Sequence, residues 1–152
     1  MLDSLIQRLR GTPRANPQDE QRLAAAVLLL EVARADYAHA PAERETLRAG
    51  LAREFGVPEA ALETLLDAAE LRAKQSVSLF DFVQALNRTM DADGKRGLLR
   101  LLWDAAHADG RVDPHEEHLL RRIADLLHLS HADFIRGKLD AAEHQRQERN
   151  EK

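Results

Sequence analysis

The chain has 152 residues, 44% of them hydrophobic, 32% charged and only 4% aromatic, which suits a single domain with an aliphatic core that needs no staple to fold. It has no cysteine, which excludes disulfide frameworks, thiolate metal sites and cysteine nucleophiles, so any metal must use oxygen or imidazole. A formal net charge of −4 is the opposite of a nucleic-acid footprint, and the longest apolar run, residues 23–30, is far below the roughly 20 residues that span a bilayer. With no apolar signal segment at the N-terminus, the expected location is the cytoplasm.

Leu2, Leu5, Ile6 and Leu9 recur at helical spacing, so residues 1–10 are expected to form a short amphipathic helix that stops at Gly11, Thr12 and Pro13. Asn16, Pro17 and Asp19 supply a capping side chain, a proline at the first helical position and an acid at the positive helix end. The helix they start should reach about Asp36, and its centre, residues 23–32, is apolar all round except for Glu31, the pattern of a helix surrounded by others. Pro41 opens the next helix, ending at Gly56, and Pro58 opens another, ending near Gln75. Ser78 with Asp81 starts a helix whose Leu79, Phe80, Phe82, Val83 and Leu86 read as core.

Asp91 and Gly94 mark a turn or a helix start before the largely apolar stretch 98–108, which Gly110 ends. Asp113, Pro114 and Glu116 then give cap, proline and third-position acid together. Ser130 with Asp133 starts a last helix, which runs into a polar tail over residues 143–152 where the apolar pattern ceases and fraying is expected. Period-two alternation is missing throughout, so the expected fold is all-α, a compact bundle of about seven to eight helices without a sheet.

The sequence also repeats itself. Residues 28–36 match residues 101–109 without a gap, and the same offset pairs Pro41 with Pro114 and Glu43 with Glu116. After a one-residue slip, Glu45, Leu47, Leu51, Phe55 and Val57 align with Glu117, Leu119, Ile123, Leu127 and Leu129. The expected organisation is one domain over residues 1–152: a helix and linker (1–15), a first half (16–75), a second half (76–142) and the tail (143–152). Each half turns at an acid-bearing corner, and packing about a pseudo-twofold axis would bring Glu31, Asp36 and Glu43 towards Asp104, Asp109 and Glu116.

Clustered carboxylates repel unless a cation lies among them, so such a cluster would invite calcium or another divalent cation. In the frame of a twelve-residue calcium loop, Gly110 takes position 6, Asp109 position 5, Asp113 position 9 and Glu116 position 12. Positions 1 and 3 would be Ala105 and His107, so a self-sufficient loop of that kind is excluded. The first corner departs further, with Tyr37 opposite Gly110 and Ala40 opposite Asp113. Ordinary helix capping explains Asp113 and Glu116 equally well. His115 and His118 stand three apart, not at the four-residue spacing of a zinc protease helix, although with His107 and Asp109 a zinc or nickel site remains open. No phosphate loop or nucleophile elbow accompanies the acids, and the chain is not expected to be an enzyme.

The corner from Ala106 through His107, Asp109, Gly110, Arg111, Asp113 and Glu116, preceded by Leu102, Trp103 and Asp104 and followed by Arg121, Arg122, Ile123 and Ala124, resembles the TerB-like tellurite-resistance family. The resemblance covers roughly residues 20–140. It implies an all-helical, internally pseudo-symmetric fold, an acidic face that binds metal ions, and a part in bacterial resistance to tellurite and other chemical stress. The metal candidates it implies are Asp109, Asp113 and Glu116, then Asp36 and Glu43, with Glu31 and Asp104 in support. A protein partner is expected in either case. The alternative is a helical interaction module that holds no metal and docks a basic protein on its acidic surface.

Overall fold

A computed structural model of the chain describes residues 16–34, 41–75, 78–107 and 112–150. These residues form seven helices and no strand: α1 (Pro17–Arg34), α2 (Pro41–Phe55), α3 (Glu59–Lys74), α4 (Leu79–Thr89), α5 (Ala92–Ala106), α6 (Pro114–Leu126) and α7 (His131–Asn150). The amphipathic stretch expected over residues 1–10 lies outside the described residues.

Local chemistry sets the boundaries. Asn16 Oδ1 accepts the Gln18 N–H at 3.0 Å and Pro17 opens α1. Gly56, at φ 62, ends α2 in the left-handed conformation that favours glycine. Ser78 caps α4 by accepting from Phe80 N–H, and Asp91 settles the open question at the start of α5 by accepting from Gly94 N–H at 2.8 Å. Ser130 Oγ accepts from Asp133 N–H at 3.0 Å at the head of α7.

The core forms around α1, in which Leu28, Leu29 and Val32 are fully buried. Each such side chain contributes about 1.5–3 kcal/mol of transfer free energy. α1 is covered by α3, α4 and α5, and more lightly by α2 and α6. The pattern is reciprocal: α3 packs on α1 as α7 packs on α5, while α2 reaches across to α5 and α6 to α1. That exchange of neighbours is what a pseudo-twofold arrangement of the two repeat units requires. Close approach of α7 to α5 depends on Gly137, since a Cβ there would stand 2.9 Å from Trp103 Cδ1.

Two expectations need correction. Phe80 is 51% exposed and not core, because it sits about 100° round α4 from the stripe carrying Leu79, Val83 and Leu86. The polar tail, where fraying is expected, stays helical: α7 continues to Asn150, with an Arg146–Glu143 pair at 2.6 Å.

Candidate functional site: the second corner and a buried carboxylate

The second corner is tied to the start of α6. Asp113 takes extended backbone angles (φ −70, ψ 146) as N-cap, and its Oδ1 accepts the His115 N–H at 2.7 Å. Glu116, one turn in, reaches back so that its Oε1 accepts the Asp113 N–H at 2.9 Å. Together they form a capping box, with Pro114 at the first helical position. Glu116 is only 1% exposed, so this carboxylate is fixed in place by both its hydrogen bond and its packing. Asp113 and Glu116 are thus brought together at one helix end, where an anion is also favoured by the helix dipole.

Asp104 has partners of its own on two other helices. It is 6% exposed on α5, with Oδ2 3.6 Å from Arg53 Nη2 on α2 and Oδ1 3.7 Å from His144 Nδ1 on α7. These are ion-pair separations, longer than good hydrogen bonds. Burial pushes the Asp104 carboxyl above the usual carboxylate range, and His144, Arg53 and Arg100 only partly offset it. Neither Arg53 nor His144 was expected as a partner of this acid. The one signal in the sequence was that Asp104 interrupts an apolar run, which marks a residue in need of a partner without naming it.

Glu31 is partly buried on α1, between the buried Leu30 and Val32. Asp36 and Asp109 lie outside the described residues, as does the side chain of Glu43 in α2. His115 and His118 are exposed on α6. Among the described residues, no three histidine, aspartate or glutamate side chains converge in a way that could hold a metal ion. No helix among them is long and apolar enough to cross a membrane.

Fold and site together define a class: among the described residues, an all-helical bundle whose sixth helix opens on an acidic capping box. Residues 22–139 match the family described as tellurite resistance protein TerB, and the chain belongs to that family. No curated protein and no solved structure matches it.

Proposed function

We propose that the chain serves bacterial resistance to tellurite and other chemical stress as a non-enzymatic cytoplasmic protein. In this reading it takes a divalent cation, calcium first, at the corner carrying Asp109, Asp113 and Glu116, and the bound state biases its contact with a protein partner. The observation that supports it is the placement of Asp113 at the N-cap and Glu116 at the third position of α6. Those are positions 9 and 12 of a calcium loop whose sixth position falls on Gly110.

A second reading, an interaction module without metal, draws on the same hydrogen bonds: both acids already accept backbone N–H groups, so capping alone gives them a purpose. Calorimetric titration of the full chain with calcium chloride separates the two. The cation reading expects saturable heat in the parent and none in the double variant Asp109→Asn, Glu116→Gln, which keeps oxygen acceptors for the helix cap. Parent protein that gives no heat with calcium, magnesium or zinc leaves only the interaction module.

A further inference from the structure

A cleft of about 380 Å³ opens where α2 and α4 end and α1 and α5 begin. Its volume lies within the roughly 300–1,000 Å³ of small-molecule sites. Phe55, Met90 and Leu98 supply apolar wall, and Glu54, Asp91 and Asp93 line it against a single guanidinium, Arg100. Two of the three acids have local work: Asp91 caps α5, and Asp93 pairs with Arg96 at 2.6 Å.

Glu54 is the acid that the fold does not explain. It lies in the last turn of α2, the negative end of the helix dipole, where Arg22 of α1 donates to the Phe55 and Gly56 carbonyls at 3.2 and 3.1 Å. Its side chain is 27% exposed, and the cation paired with it is the adjacent, half-exposed Arg53 at 3.4 Å. Gly97 of α5 faces it closely enough that a Cβ there would stand 3.2 Å from Glu54 Oε2. In the repeat alignment Phe55 pairs with Leu127, which sets Leu126 opposite Glu54, so the acid replaces an apolar residue in the first half only. Departures from local preference of this kind concentrate at binding sites.

We propose that this cleft binds a small organic cation, with an ammonium group on the carboxylates of Glu54 and Asp91 and the hydrocarbon portion against Phe55, Met90 and Leu98. A small anion would meet the same carboxylates and be repelled. The proposed site shares no residue with the corner at Asp109, Asp113 and Glu116, so either can fail without the other.

The test is a titration of the full chain with 1,4-diaminobutane at constant ionic strength, read from the amide signals of Thr89, Gly94 and Gly97, with sodium succinate as the anionic counterpart. The diamine should give saturable shifts at these amides and succinate should not. Glu54→Gln should weaken the diamine by about tenfold, the low end expected for one partly exposed charged contact. Glu143→Gln, at a residue that does not line the cleft, should leave it unchanged. Absence of saturable shifts, or equal affinity in both variants, overturns the proposal. Should Glu54→Gln melt at a lower temperature, Asp91→Asn, which keeps an oxygen for the cap, reports the same loss, and unchanged affinity in that variant also overturns it.

Discussion

Asp104 of α5 and His144 of α7 stand 3.7 Å apart, so the polar end of the last helix reaches a carboxylate that is 6% exposed in the body of the bundle. Burial raises the Asp104 pKa, which means that the fold favours the protonated acid. The sign of the pH dependence follows: the contribution of Asp104 to stability is fully present below the ordinary aspartate range and is lost as pH rises through its raised folded value. Asp104→Asn keeps the shape without the charge. At pH 7 it should be more stable than the parent, a difference that closes towards about pH 3, below the ordinary aspartate range. Urea denaturation at the two pH values measures it, and a loss of stability at pH 7 would show that Arg53 and His144 outweigh the desolvation.

The contact between α5 and α7 is set by a glycine against a rigid ring. Trp103 is fully buried, and a Cβ on Gly137 would meet its Cδ1 at 2.9 Å and its Nε1 at 3.2 Å. Gly137→Ala should therefore destabilise the fold by about 1–2 kcal/mol, despite the ~1 kcal/mol by which alanine improves on glycine in a helix. Thermal melting followed by the emission of Trp103, the single tryptophan, reads both the loss and any opening of the ring's surroundings. An unchanged or higher melting temperature would mean that α7 slides away from α5 at little cost.

Glu116 is expected to matter to the fold whether or not a cation binds. Glu116→Ala removes the acceptor of the Asp113 N–H and empties a buried site, which should cost about 1–2 kcal/mol. Glu116→Gln retains an acceptor oxygen and should cost clearly less. Equal losses in the two variants, measured by denaturant titration, would show that charge and not the cap holds the residue.

Most of the scaffold was legible in the sequence because local chemistry wrote it: Asn16 with Pro17, Asp113 with Pro114, and Ser130 each mark a helix start that the structure uses. The repeat was legible because two gapless segments carry the same apolar and acidic order, and the reciprocal packing of α1 to α3 with α5 to α7 follows from it. What stayed hidden depends on contacts between distant segments. Asp104 meets Arg53 and His144 only once three helices are in place, and spacing along one helix says nothing about them. Phe80 belongs to an apolar stretch that reads as core in the sequence, whereas its angle round α4 decides its exposure. The role of Gly137 was invisible for the same reason, since its neighbour Trp103 is on another helix.

The corner of the second repeat is tested most directly by following backbone amide signals of the full chain during a calcium titration. If Asp109, Asp113 and Glu116 hold the ion, the signals of Asp113, His115 and Glu116 shift together and saturate, magnesium competes, and Asp109→Asn with Glu116→Gln abolishes the response. Signals at these three residues that stay still through millimolar calcium, with magnesium and zinc equally silent, would contradict cation binding and leave a capped helix end whose acids serve the fold alone.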